Sequence, residues 1–155
     1  MSWFVETYRR LGISFERIFA WEKKIHSPKL LFAEPMPEEV LDSLSYYNIP
    51  IEPALGARHN PLRTLRAVAH PSDFVVLKVD FDADVIEQAF VEQILHDPQL
   101  VGLVDEMYFE HHVYDIALAR YKYGPKGVAT GPFLRDSYEL FSKLREAGIR
   151  AHSWV

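Results

Sequence analysis

Two apolar segments of the chain each end in a group of ionisable side chains. The first segment begins at Phe74 and ends in Asp80 and Asp82. The second ends in Glu110 and His112. Carboxylates and imidazoles act as general bases, and together they ligate divalent cations through oxygen and nitrogen. The chemistry to consider first is therefore proton transfer or metal binding by these four side chains.

Both apolar segments have the composition of buried strands, and a helix is predicted between them. Residues 74–79 and 103–109 are rich in β-branched and aromatic side chains, and residues 85–95 carry apolar side chains at helical spacing. Strand, helix and strand form a βαβ unit with a right-handed crossover if the strands are parallel. Ligands of open α/β sheets bind at the carboxyl ends of the strands, so we expect both ionisable groups at that edge.

Two interpretations of this edge stay open. Strand alternation puts Asp80 and Asp82 on one face and Glu110 and His112 on one face, which suits a cation site or a general base. Alternatively, Asp82 or Asp84 caps the following helix and the histidines make structural hydrogen bonds. No spacing motif of an established metal-binding type is present, so the metal ligands Asp80, Asp82 and His112 are weaker candidates than the same residues in acid-base roles.

Glu22 is the second candidate site, because it ends another predicted strand, residues 15–22. A carboxylate in that position can accept hydrogen bonds from both ribose hydroxyls of a nucleoside. The alternative is an ordinary exposed glutamate beside Lys23 and Lys24. Three further side chains suit a pocket lining: Trp21, Asn48 and Lys78.

The remaining chain alternates predicted helices and strands. Apolar spacing and capping residues predict helices at residues 3–11, 38–44, 61–68 and 135–147, and strands at residues 45–51 and 149–155. Gly12 is the predicted end of the first helix, Asn60 and Pro61 are the predicted start of the third, and residues 96–98 (His-Asp-Pro) are predicted to stop the helix 85–95. The segment 125–132, rich in glycine and proline, is predicted to be a mobile loop. The alternation predicts one domain, residues 1–155, with a three-layer α/β sandwich around a mostly parallel sheet.

Composition excludes several classes of function. The chain has 155 residues, of which 48% are hydrophobic, and a net charge of −5 with no basic cluster, so nucleic acid is not an expected partner. Cysteine is absent, which excludes disulfides and thiolate metal sites. No apolar run is long enough for a membrane span, so we expect a soluble, cytoplasmic protein. The sequence also lacks any Gly-x-Gly motif, which argues against ordinary dinucleotide binding.

Short motifs along most of the chain carry a family resemblance. They are residues 18–22 (Ile-Phe-Ala-Trp-Glu), 47–48 (Tyr-Asn), 76–82 (Val-Leu-Lys-Val-Asp-Phe-Asp), 104–112 (Val-Asp-Glu-Met-Tyr-Phe-Glu-His-His) and 148–154 (Gly-Ile-Arg-Ala-His-Ser-Trp). The sequence resembles the class I S-adenosylmethionine-dependent methyltransferases of the FkbM type, and especially uncharacterised eukaryotic proteins related to them. The resemblance implies a Rossmann-like fold, S-adenosylmethionine as cofactor, and a small-molecule or glycan substrate methylated on oxygen or nitrogen.

The resemblance also implies roles for individual residues. Glu22 corresponds to the acid that binds the ribose, and Asn48 to a neighbour of the adenine. Asp80 corresponds to the acid at the edge shared by cofactor and substrate, while Glu110 and His112 flank the substrate. Asp80, Glu110 and His112 are therefore the implied catalytic residues, with Asp80 or His112 as the general base.

The sequence departs from the family pattern in two places. Ala83 follows Asp82 where the family has a glycine. The family's first strand and glycine-rich turn should precede Trp3, and in the family sheet that strand lies between those that here end at Glu22 and Asp80. Without it both neighbouring strands expose unpaired backbone groups. An amino-terminally shortened chain, a rearranged sheet, or a strand supplied by a second copy or another chain would account for this.

Two other functions stay open beside the methyltransferase. One is a non-catalytic interaction or self-association module that uses an exposed sheet edge. The other is a metal-dependent nucleotide-sugar transferase, since Asp80-Phe81-Asp82 also resembles the Asp-x-Asp motif of those enzymes.

Overall fold

A computed structural model describes residues 2–25, 27, 36–81, 83–113 and 133–154. The chain forms two compact units, Met1–Glu52 and Pro53–Val155. The single domain expected from the sequence stays a prediction. Asp82 and the predicted loop 125–132 lie outside the described residues.

The first unit contains two helices and a pair of parallel strands. The elements are α1 (Ser2–Arg10), β1 (Ile18–Trp21), α2 (Glu38–Ser43) and β2 (Leu44–Tyr47). Strands β1 and β2 pair in parallel, with Ile18 opposite Leu44. Helix α1 ends as the sequence predicts, because Gly12 follows it with a φ of 78°, a conformation that glycine adopts without strain. An ion pair between Arg9 and Glu39 connects the two helices.

The second unit contains the predicted βαβ unit and one further strand. Its elements are α3 (Pro61–Val68), β3 (Val76–Val79), α4 (Asp84–Leu95), α5 (Pro98–Val101), β4 (Glu106–Phe109), α6 (Leu134–Glu146) and β5 (Arg150–Ser153). The strand order is β3-β4-β5, and both pairs are parallel. Val76 lies opposite Glu106, which in turn lies opposite Arg150, so the register runs straight across the sheet.

One face of the three-stranded sheet forms the core of the second unit. Alternation along the strands sends Val79, Met107 and Ala151 to this face, where all three are buried. Helices α4 and α6 cover it, contributing Ile94 and Leu144 among other side chains to a single apolar cluster. This packing gives the unit most of its buried apolar surface.

The opposite face of the same sheet is polar and aromatic. Glu106 on β4 is buried, and its carboxylate lies 2.7 Å from His152 Nε2 and 3.4 Å from the Arg150 guanidinium, both on β5. The His152 ring stacks on Tyr108 with centroids 4.8 Å apart. Cross-strand ion pairs and stacking therefore replace apolar packing on this face.

Two helix starts show how capping fixes the element boundaries. Asn60 accepts a hydrogen bond from Leu62 N at 2.8 Å, and Pro61 occupies the first helical position, as the sequence predicts. Helix α5 was not predicted, because Asp97 and the proline after it were interpreted only as a stop for α4. The Asp97 side chain accepts from the first backbone N–H groups of α5, so the same residues end one helix and begin the next.

The sheet differs from the one expected. Instead of a single sheet, the described residues form mixed α/β structure with two small parallel sheets, and each strand has four residues. The predicted strands 15–22 and 45–51 were too long: β1 covers only residues 18–21 of the first, and β2, at 44–47, begins one residue earlier than the second and covers only its first three residues. A three-layer Rossmann-like arrangement stays a prediction. Within the described part of the chain, no helix combines the length and apolarity needed to cross a membrane.

Replacing Ile94 with alanine is expected to destabilise the protein by about 2–5 kcal/mol, because this side chain is fully buried and its loss leaves a cavity. Val85 on the same helix is 83% exposed, so Val85→Ala is the matched control and should change stability by less than about 0.5 kcal/mol. Urea unfolding followed by circular dichroism measures both. Equal effects of the two substitutions would contradict the packing described for α4.

Candidate functional site

The carboxyl ends of β3 and β4 bring Asp80 and Glu110 together. Val79 and Phe109 are opposite each other in the register, and Glu110 N donates to Val79 O at 3.0 Å, which extends the pairing beyond the strands. The two carboxyl groups share a hydrogen bond. Asp80 and Glu110, which were predicted to lie at the same edge of the sheet, are therefore neighbours.

Asp80 also receives donors from two other side chains. Lys78, two residues earlier on β3, forms an ion pair with it, and the Trp154 indole donates a hydrogen bond. Trp154 is positioned by its own backbone, since its N–H donates to Phe109 O at 3.0 Å and continues the β4-β5 pairing. The Lys78 ammonium lies 5.0 Å from the centre of the Trp154 ring, a cation-π contact that brings the two donors together.

These contacts set the ionisation of Asp80. Burial raises the pKa of its carboxyl, but the hydrogen bonds with Glu110, Lys78 and Trp154 and the Lys78 charge together hold that pKa below its ordinary value. The hydrogen bond with Glu110 is thus one of the contacts that stabilise the ionised form of Asp80. Asp80 is therefore an ionised acceptor with several donors, which makes it a weak base.

His112 is the remaining member of this cluster. Its Nε2 lies 3.8 Å from the Glu110 carboxylate oxygen Oε2, and both side chains are a little over a quarter exposed. The His111 ring instead stacks on the Phe109 ring, with the two ring centroids 5.2 Å apart. Of the two general bases that the sequence predicts, Asp80 is the weaker, since its donors stabilise the ionised carboxylate.

Glu22 and Asn48 form a second cluster, in the first unit. Glu22 follows β1, its backbone N–H donates to Tyr47 O at 3.0 Å, and its Oε1 accepts from Lys24 N at 2.7 Å. The Asn48 amide nitrogen donates to Glu22 O and to Lys24 O, both at 2.7 Å. Asn48 therefore uses its amide donors to hold the turn after β1, and this turn fixes the Glu22 carboxylate at the strand end.

Tyr46 adds a polar group to this second cluster. Burial, and then the charge of Glu22, raise the pKa of its phenol. Its hydroxyl is buried and has no hydrogen-bond partner within the described part of the chain. Tyr46 precedes Asn48 by two residues, so strand alternation puts both on one face, a signal that the sequence carried and that we did not use.

Trp154 is the residue of the Asp80 cluster that sequence reasoning missed. It appeared only in a family-like stretch at the end of the chain, with no role assigned. Since β5 is parallel to β4, the residue that follows β5 has to lie at the same edge as Glu110. Lys78, expected only as a pocket lining, is also part of the cluster.

Metal binding at this edge receives no structural support. Across residues 2–25, 27, 36–81, 83–113 and 133–154, no three histidine or carboxylate side chains are grouped as a cation site. Asp82 lies outside these ranges. Metal ligation by Asp80, Asp82 and His112 stays a prediction.

No protein-family model, curated protein or solved structure matches the chain. The resemblance to FkbM-type methyltransferases therefore stays a prediction from short sequence motifs.

Replacing Trp154 with phenylalanine is expected to raise the pKa of Asp80 towards its ordinary value, because the ring remains while the indole donor is lost. Titration of the Asp80 side-chain carboxyl by NMR measures this change. Trp3→Phe is the control, because Trp3 is 46% exposed on α1 in the other unit. An Asp80 pKa that is the same in the wild type and Trp154→Phe would contradict the hydrogen bond.

The same substitution predicts a pH dependence of stability. A lowered native pKa stabilises the protein above the pKa of the unfolded carboxyl, and this contribution is lost as the pH falls through the native value. Trp154→Phe should therefore cost about 1 kcal/mol at neutral pH, the net worth of one hydrogen bond, and less in acid. Urea unfolding at neutral and acidic pH measures the difference, and a penalty that grows on acidification would contradict it.

Proposed function

We propose that the protein is methyltransferase-like and uses S-adenosylmethionine to methylate an oxygen or nitrogen of a small molecule or glycan. The observation that supports this most is the cluster of Asp80, Glu110, His112 and Trp154 at the carboxyl edge of β3-β4-β5. That edge is where open α/β sheets bind ligands. The sequence motifs around these residues are the ones that resemble the family.

His112 is the proposed general base. It removes the proton from the substrate hydroxyl or amine, and the neighbouring Glu110 side chain, 3.8 Å away, orients the imidazole. Asp80 stays ionised and accepts hydrogen bonds from polar groups brought to this edge. S-adenosylmethionine, when bound, supplies a methyl group activated by a sulfonium.

The residues around Glu22 suit the nucleoside half of S-adenosylmethionine. A carboxylate held at the end of a parallel strand suits the two ribose hydroxyls, and Asn48 lies beside it. The methionine half is usually held by a glycine-rich turn, and the sequence has no Gly-x-Gly motif to provide one. We therefore expect weak cofactor binding that depends on Glu22.

Calorimetric titration with S-adenosylmethionine and S-adenosylhomocysteine tests this proposal. Glu22→Gln is expected to weaken binding by roughly ten- to hundredfold, because hydrogen bonds to a charged acceptor become neutral ones. Glu16→Gln is the control, since Glu16 is exposed in the same unit and precedes β1. No heat from either ligand at millimolar concentration would rule out cofactor-dependent function for this chain.

A second candidate function is an interaction or self-association module. It is favoured by the sheet edges, because within the described residues β1 pairs only with β2 and β3 only with β4. An unpaired edge of a parallel sheet is a template for another strand. The third interpretation, a nucleotide-sugar transferase using Asp80 and Asp82, is favoured by no observation in the described residues.

A further inference from the structure

Two residues at the outer edge of β3 have backbone groups with no partner strand among the described residues. Glu106 N donates to Val75 O at 3.1 Å, and Glu110 N donates to Val79 O at 3.0 Å. In a parallel ladder alternate residues face the same neighbour, so the backbone groups of Val76 and Lys78 point away from β4. No strand in the described part of the chain pairs with them.

The other edge of the same sheet is partly protected. The outward carbonyls of β5 belong to Ala151 and Ser153, and Arg145 donates to that of Ala151 from Nε at 3.1 Å and from the terminal NH2 nitrogen at 2.7 Å. Covering an edge with a charged side chain is a common defence against strand addition. Arg145 therefore obstructs strand addition at the middle of β5, whereas no such contact is seen at β3 within the described residues.

We propose that the open edge of β3 pairs with β3 of a second copy, antiparallel across a two-fold axis. This inference rests on the second candidate function and specifies its partner. The positions of the outward backbone groups fix the register. Val76 exchanges both backbone hydrogen bonds with the partner's Lys78, and Leu77 lies directly opposite the partner's Leu77.

The side chains are compatible with this register. On the polar face Val76 lies beside the partner's Lys78, so no like charges are opposed. On the core face Leu77 meets its own symmetry mate. Leu77 is only partly buried against the core of its own unit, so pairing covers apolar surface that the single copy leaves accessible.

Lys78 does not block the edge, although lysine often protects edge strands. Its ammonium pairs with Asp80 and lies over the Trp154 ring, 5.0 Å from the centroid. The side chain is held over its own sheet, while its backbone remains available. One short strand pair buries little surface, so the dimer is expected to be weak and dependent on concentration.

Charge substitutions at Val76 test the register. Val76→Glu places a carboxylate beside the partner's Lys78 twice per dimer, and Val76→Lys places an ammonium there. Both new charges also lie opposite Glu106 of their own sheet, so the stability of each single copy is measured alongside its dimerisation. We expect the dissociation constant from sedimentation equilibrium to fall by roughly two- to thirtyfold for Val76→Glu and to rise by a similar factor for Val76→Lys. The chain already carries a net charge of −5, so a non-specific charge effect would have the opposite sign.

Tyr138→Glu and Tyr138→Lys are the matched controls, since Tyr138 is 66% exposed on α6 and the charge changes are identical. They should leave the dissociation constant unaltered, and thermal unfolding should show that all four variants fold. Hydrogen exchange of the unsubstituted protein gives an independent measurement. The Val76 and Lys78 amides should exchange more slowly as concentration rises, while the Leu77 amide, already paired with β4, should not change.

Three outcomes would overturn the proposal. They are a monomer at millimolar concentration for both the wild type and Val76→Glu, equal effects of the two Val76 charges, and exchange at Val76 and Lys78 that does not depend on concentration. None of these measurements involves cofactor. A failed dimer is therefore distinguishable from failed binding of S-adenosylmethionine.

Discussion

The parallel hydrogen-bond ladder on both sides of β4 is the constraint on which the second unit depends. It sets the register that sends Val79, Met107 and Ala151 into the core. It also brings the residues that follow three different strands to one edge. Along each strand the backbone groups of successive residues point to opposite neighbours, and this alternation decides which groups lie at the sheet edges. The core, the candidate site and the edge of β3 therefore all follow from the same ladder.

The chemistry of the candidate site follows from how many donors one carboxylate receives. Asp80 is bound by the Lys78 ammonium, the Trp154 indole and the Glu110 side chain, and these contacts outweigh the cost of its burial. An acid stabilised in this way keeps its charge and orients other groups. Glu110 and His112 lie beside it, with His112 Nε2 3.8 Å from Glu110 Oε2. The two acids at the strand ends are alike in sequence but differ in role because of their neighbours.

Sequence reasoning succeeded where a local pattern decides the structure. Helical spacing and the Asn60 cap predicted α3, and the βαβ unit followed from two apolar runs with a helix between them. It failed where a single residue type has two uses. Asp97 was interpreted as a stop although it also caps α5, and Trp154 had no assigned role because its place depends on pairing with a distant strand. The extent of each sheet was not readable either, since pairing is decided by partners far along the chain.

The contact between Arg145 and the carbonyl of Ala151 has a consequence for the size of any assembly. If both edges of the sheet were open, copies could add end on end, and the sheet would grow into a fibre without a natural limit. Arg145 occupies the Ala151 carbonyl, one of the two outward carbonyls of β5, so a strand arriving at this edge has to displace the guanidinium. In a pair joined through β3, this contact at each outer end would oppose further growth of the sheet.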